Sequence, residues 1–144
     1  MTPDVNVLVA ASRSDHVHYK SAQKWLRSAL AAGSTGATFR LIPLAVASFL
    51  RLVTNPKIFV DPTPIDDAIA FVDSLLAVSH VEMAAVGHEW PLLRQLCLDH
   101  KLRANDLPDA GLAATVMQLG EHLVTFDGDF KKLLRRDRLT VLTA

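Results

Sequence analysis

Strand-like and helix-like segments alternate along the whole sequence, which predicts an α/β fold with a central, mostly parallel sheet and helices on both faces. Two further observations support that class. Short apolar runs such as Leu123-Val124-Thr125 are bounded by polar turns, as buried strands are. Longer stretches carry apolar residues at helical spacing and are punctuated by Pro or Gly. With 144 residues, 50% hydrophobic and 21% charged, the chain reads as one globular domain over residues 1–144. That length buries most of the unfolded surface without staples.

The elements follow in order. Val5 to Ala11 is an apolar run that fits either a buried strand or a short helix by pattern alone. Ser12-Arg13-Ser14-Asp15 is a polar turn, and His18 to Leu30 is an amphipathic helix with Ala22, Trp25, Leu26 and Leu30 on one face. Gly33 and Gly36 stop it. Thr38 to Ile42 forms a second strand, and Pro43 opens a helix that runs through Leu44, Val46, Phe49 and Val53 and closes before Asn55-Pro56. After the rigid Asp61-Pro62-Thr63-Pro64 break, Thr63 caps the next helix with Pro64 at its first position. Asp66 and Asp67 suit the dipole of that first turn. Ile69, Phe71, Val72, Leu75 and Leu76 give this helix more apolar surface than one face needs, enough to meet another chain.

Val81 to Val86 is a third strand, followed by a helix over His88 to His100 bearing Trp90, Leu93, Leu96 and Cys97. The next helix spans Asp106 to Leu119. Pro108 sits in its first turn, Asn105 or Asp106 caps it, and Ala110, Ala113, Ala114 and Met117 form a face small enough to pack closely on a sheet. A strand at His122–Thr125, a short helix over Phe130–Leu134 and a last strand at Leu139–Leu142 complete the chain.

Composition removes several function classes. The single cysteine, Cys97, leaves no internal disulfide, and its apolar neighbours make it an inert buried thiol in a reducing compartment. No apolar run approaches the roughly 18 residues of a membrane span, and no signal segment is visible, so a cytoplasmic protein is expected. Six histidines lack a paired metal-ligand spacing, which argues against zinc. A P-loop, a dinucleotide fingerprint and a Gly-x-Ser-x-Gly elbow are absent.

Acidic residues at element boundaries carry the chemistry. Asp106 and Asp109 are three apart on a helical turn, so their carboxylates share one face. Capping and the helix dipole account for them equally well. Asp127 and Asp129 follow a strand, where open α/β sheets place their ligands. Asp4 precedes the first apolar run. Carboxylates about 4 Å apart repel by roughly 4 kcal/mol at an effective dielectric near 20. A cation relieves that repulsion, and oxygen-only ligands point to Mg²⁺ or Mn²⁺. Fifteen basic residues balance fifteen acidic ones overall, but Lys131, Lys132, Arg135, Arg136 and Arg138 crowd the end beside Asp127 and Asp129. That cluster is either a phosphate-holding surface or a solvated helix face.

Asp4-Val5-Asn6-Val7-Leu8, Asn105-Asp106-Leu107-Pro108-Asp109-Ala110 and Thr125-Phe126-Asp127-Gly128-Asp129-Phe130 resemble the PIN-domain ribonucleases, and more narrowly the VapC toxins of bacterial toxin–antitoxin pairs. Phe49-Leu50-Arg51-Leu52-Val53-Thr54-Asn55-Pro56 is similar to the middle segment of one VapC subgroup. The resemblance implies a PIN-like three-layer α/β/α fold in which Asp4 ends a very short first strand and Asn6 begins a helical turn. It implies a metal-dependent endoribonuclease that cleaves structured RNA (tRNA or rRNA), is silenced by a VapB-type antitoxin and forms a homodimer. Asp4, Asp109 and Asp127 match acidic positions of the family site and become the catalytic metal ligands, with Asp106 and Asp129 as further ligands, direct or through water. Asn6 and Thr125 serve either as donors to the carboxylates or as structural turn residues. Lys131, Lys132 and Arg135 are the candidate RNA contacts.

One position departs from the pattern. Most VapC toxins carry a glutamate where this chain has Ser48, and no acid lies between Asp15 and Asp61 to replace it. Asp106 is the favoured substitute. The alternative is a PIN-like domain that binds RNA or its antitoxin with little or no nuclease activity. A receiver-like phosphoacceptor ranks last, because Lys131 and Lys132 follow Asp127 in a basic helix instead of lying on a late strand.

Overall fold

The sheet is assembled around a two-residue strand. In the computed structural model, which describes residues 1–143 apart from the Ser34 side chain, Thr2–Pro3 form β1. Asp4 then turns the backbone directly into α1, Val5–Ser12. The pattern of residues 5–11 left strand and helix open, and the helix implied by the family resemblance is the one found. There follow α2 (Tyr19–Ala31), β2 (Phe39–Leu41), α3 (Pro43–Val53), α4 (Ile65–Leu76) and β3 (Val81–Met83). The chain continues through α5 (Trp90–His100), α6 (Asp106–Leu119), β4 (Leu123–Thr125) and β5 (Leu139–Val141).

All strand pairings among the described residues are parallel. Pro3 lies opposite Val124, Val124 opposite Thr140, and Leu41 opposite Met83. The β1-β4-β5 and β2-β3 ladders meet at Met1. The Met1 amino group donates to the Thr38 carbonyl at 2.7 Å, and the Met1 carbonyl accepts from the Arg40 N–H at 3.0 Å. Bonding the residues on either side of one partner is the parallel pattern, so the order across the sheet is β3-β2-β1-β4-β5. Because β1 and β4 run in register, Asp4 and Thr125 emerge side by side at the carboxyl edge of the sheet.

Two cores make three layers. On one side Val7, Leu8, Leu26, Phe49, Val53 and Val72 pack with Phe39 and Leu41, drawing on α1 to α4. On the other, Leu112, Ala113 and Val116 of α6 pack with Leu123, Phe130 and Leu134. Ala110, Ala113 and Ala114 are wholly buried, so the small face of α6 does lie close against its neighbours. α5 covers the outside of α6, and helices buried on two sides read as apolar nearly all round.

Three expectations are corrected. α5 packs on α6 and buries none of its residues, so Cys97 is not the buried thiol expected, and Trp90 is 64% exposed. Cys97 is accordingly half-buried. Thr63 does not cap α4. Its hydroxyl accepts from Arg13 Nη1 at 3.0 Å, and the helix begins at Ile65, one residue later than expected. The buried Arg13 guanidinium also binds Asp15 and the Asp61 carbonyl and lies 3.9 Å over the Phe59 ring, so it fastens the 55–64 segment to the end of α1. Finally, the strand expected over 81–86 ends at Met83.

Candidate active site

Asp4 occupies the N-cap of α1 with extended backbone angles, which aim its side chain back at the helix start. Oδ1 accepts from the Val5 N–H at 2.7 Å and Oδ2 from Thr125 Oγ1 at 2.7 Å. Thr125 Oγ1 in turn accepts from the Asp127 N–H at 3.0 Å and from Asn6 Nδ2 at 3.2 Å. Asn6 Oδ1 accepts from the Phe126 N–H at 3.2 Å. The carboxyl end of β4 is thus tied to the first turn of α1 through side chains, and Asp4 is held in one orientation although it is only 7% exposed.

Asp127 caps the turn Gly128–Lys132, its Oδ1 accepting from the Asp129 N–H at 2.9 Å. Asp109 projects from the first turn of α6 into a cleft of about 290 Å³, lined also by Asp106, Asp129, Lys132, His100, Leu102 and Leu133. Asp106 does not cap α6 through its side chain. Its Oδ2 accepts from the Arg103 N–H at 3.2 Å, closing the turn before the helix, and Asn105 makes no capping bond either. That turn carries Lys101 and Ala104 at φ near +50°, the left-handed region that ordinary side chains rarely adopt.

The electrostatics of these acids are coupled. Burial, and then the charges of Asp4, Asp127, Asp129 and Asp106, push the Asp109 carboxyl up to about 6. Burial also raises Asp4, with Asp127 adding to the rise, while the bonds from Thr125 and Val5 oppose it. Among the described residues no ion pair reaches Asp4, Asp109 or Asp127. No three Asp, Glu, His or Cys side chains among them converge tightly enough to hold an ion as they stand. The fit to a cation therefore rests on charge and donor type: carboxylate oxygens, mutually repelling and without a basic partner, suit a hard divalent ion.

The other expected site residues have differing surroundings. Ser48 lies half-buried in mid-α3, a helix without any acid. Arg135 is engaged with Asp137 at 2.9 Å on the surface. Lys132 lines the acidic cleft, whereas Lys131 lines a different cavity. Sequence reasoning missed His100 and Leu102, which reach the cleft from the α5–α6 turn, and His18, whose ring stacks on Phe126 at 4.6 Å. The closeness of His100 to Asp106 in sequence was the only available sign of the first, and nothing marked the second.

Known proteins give the same picture. The PIN domain family model matches residues 1–135. Ribonuclease VapC25 of Mycobacterium tuberculosis is 38% identical over 130 residues, covering 90% of this chain and 89% of that protein. Ribonuclease VapC31 of the same species is 39% identical over 132 residues, with the same coverage of 90% and 89%. Among solved structures, VapBC2 from Rickettsia felis, bound to a DNA fragment from its promoter, superimposes with a TM-score of 0.68 at 16% identity over 99% of this chain and 98% of that one. VapC20 of M. tuberculosis, a sarcin-ricin loop cleaving toxin, gives 0.61 at 16% identity over 90% and 92%. Both structural likenesses speak to the fold. With the order of strands and acids described above, the sequence matches establish that the chain belongs to the PIN-domain family, among the VapC ribonucleases.

Proposed function

We propose that this single PIN unit is a metal-dependent endoribonuclease, the toxin of a VapBC-type pair, which cuts tRNA or rRNA in the cytoplasm and so stops translation. The observation that carries the reading is the Asp109 carboxyl in its cleft with Asp106 and Asp129, pushed up to about 6 by burial and then by the charges of Asp4, Asp127, Asp129 and Asp106. Such a group calls for a cation. Asp4, Asp109 and Asp127 would hold Mg²⁺ or Mn²⁺, with Asp129 and Asp106 supplementing them and Asp106 supplying the charge that Ser48 lacks. The chemistry such an ion supplies is activation of water and offset of charge on the leaving oxygen.

The chain's own residues do the positioning. Thr125 and Asn6 keep Asp4 and the β4 end in register, so the buried carboxylate presents one fixed edge. Lys132, on the cleft wall, sits where it can hold a substrate phosphate against the surrounding acids. Lys131 offers an RNA contact from a separate cavity. Arg135 contributes less, because Asp137 already engages it.

A VapB-type antitoxin and a second copy of the chain are the expected partners. Ile65 and Ile69 on α4, 54% and 44% exposed, and Val60 just before it offer apolar surface for such contacts. No helix among the described residues is long and apolar enough to cross a membrane.

Expression in a bacterial host tests the proposal. Growth and protein synthesis should stop on induction of the wild-type chain and continue on induction of Asp127→Asn. Normal growth with soluble wild-type protein accumulating would contradict it.

A further inference from the structure

The cations around residues 131–136 do not form one patch. Lys132 and Leu133 line the acidic cleft, whereas Lys131 and Leu134 line a separate cavity of about 480 Å³ together with Arg136, Leu139 and Val141. Its floor follows from strand alternation. Leu139 and Val141 project from one face of β5, and Thr140 projects from the other, where its hydroxyl bonds His122 Nε2 at 2.6 Å. Leu134, buried, completes the floor.

The rim is cationic and unpaired. Lys131 and Arg136 are exposed, and among the described residues neither forms an ion pair. No acidic side chain lines this cavity, in contrast to the cleft beside it. Two free cations above an apolar floor complement an anion that carries a flat apolar body, and the volume lies in the usual ligand range of about 300–1,000 Å³. A nucleotide has that chemistry: phosphate oxygens for the cations, a base for the floor.

We propose that this cavity is a binding subsite for one nucleotide of an RNA strand, flanking the bond presented to the acidic cleft. Lys131 and Arg136 take its phosphate, and Leu134, Leu139 and Val141 contact its base. Lys132 and Leu133 line the cleft and Lys131 and Leu134 the second cavity, so one four-residue segment borders both and a strand leaving the cleft past Lys132 enters the subsite past Lys131. The assignment rests on the nuclease reading above and adds to it a place where base identity can be read.

The test is fluorescence anisotropy with a labelled single-stranded RNA oligonucleotide in EDTA, on the Asp109→Asn chain so that no cleavage intervenes. Adding Lys131→Ala and Arg136→Ala should weaken binding about tenfold and flatten the dependence of log affinity on log salt by about 0.7, the value for one neutralised phosphate on a single strand. Thermal melting of the variant should match that of its parent. Unchanged affinity and slope would overturn the subsite and leave the nuclease reading standing. Absence of RNA binding by the Asp109→Asn parent, together with no cleavage by the wild-type chain, would overturn both. A variant that keeps its RNA affinity but loses an acidic peptide would give the cavity to a protein partner and overturn the subsite.

Discussion

Thr125 Oγ1 donates to Asp4 Oδ2 at 2.7 Å, joining residues 121 positions apart in the buried corner where two parallel strands end. The same hydroxyl accepts from the Asp127 N–H at 3.0 Å, so one side chain sets the relation between two candidate ligands. Thr125→Val removes both bonds and leaves Asp4 Oδ2 buried without its donor. Urea denaturation should show a loss of about 1–3 kcal/mol, and calorimetry should show weakened Mn²⁺ binding. Thr125→Ser should restore most of each.

The acids set a pH dependence whose direction is fixed. Asp109 titrates near 6 in the folded chain against an ordinary value of 3.8, so between those values the native state holds a proton that the unfolded state has released. Stability from this group is therefore gained as pH falls through 6 and is lost as pH rises through it. Asp4, also raised, acts in the same direction. Glu121 and Asp15, held below their ordinary values of 4.5 and 3.8, weaken the fold only at lower pH. Metal-free protein should accordingly melt at a higher temperature at pH 5 than at pH 7. Added Mg²⁺ should raise the midpoint at pH 7 and do little at pH 5, where Asp109 is protonated. Scanning calorimetry with and without EDTA decides it.

Much of this frame was legible in the sequence, and the failures have physical causes. The bounds of α6 follow from Pro108 in its first turn and Gly120 after its last, where φ is +65°. β1 is two residues long, too short for any alternation to show. Its place came from the resemblance around Asp4 and Asn6. The apolar residues of α5 correctly gave a helix, but the apolar neighbours of Cys97 wrongly gave a buried thiol, because local sequence reports a face and not what covers it. Thr63 carried a capping signature that Arg13 overrides from 50 positions away. Acids at element ends were visible one by one. That four others act on Asp109, and that His100 joins it in its cleft with Asp106 and Asp129, depends on loops distant in sequence.

Ser48 and Asp106 give an opposed pair of substitutions. If Asp106 supplies the charge that α3 lacks, Asp106→Asn should weaken Mn²⁺ binding several-fold in a calorimetric titration. Ser48→Glu, alone or on that background, should strengthen it. An unchanged titration for Asp106→Asn would remove that residue from the site. An unchanged one for Ser48→Glu would show that α3 does not face the bound ion.

At the opposite edge of the sheet, Glu121 is 3% exposed and accepts from the Met1 amino group at 2.6 Å, Arg40 Nη1 at 2.9 Å and Thr38 Oγ1 at 3.1 Å. Burial alone would raise its carboxyl, but these donors and the Met1 charge hold it below the ordinary range. Glu121→Gln should cost about 1–3 kcal/mol, because it strips charge from the joint between the two ladders. Thermal melting should register that loss while Mn²⁺ affinity stays unchanged.

The most direct measurement is cleavage of total tRNA and rRNA by the purified, antitoxin-free chain, with Mg²⁺ or Mn²⁺, with EDTA, and with Asp109→Asn. Discrete cuts are expected that vanish in EDTA, return with Mn²⁺ and are absent in the variant. Cleavage that persists in EDTA, or in Asp109→Asn at the wild-type rate, would contradict the acidic cluster as the reactive centre. No cleavage at all, with no Mn²⁺ binding, would leave a PIN fold that binds without cutting.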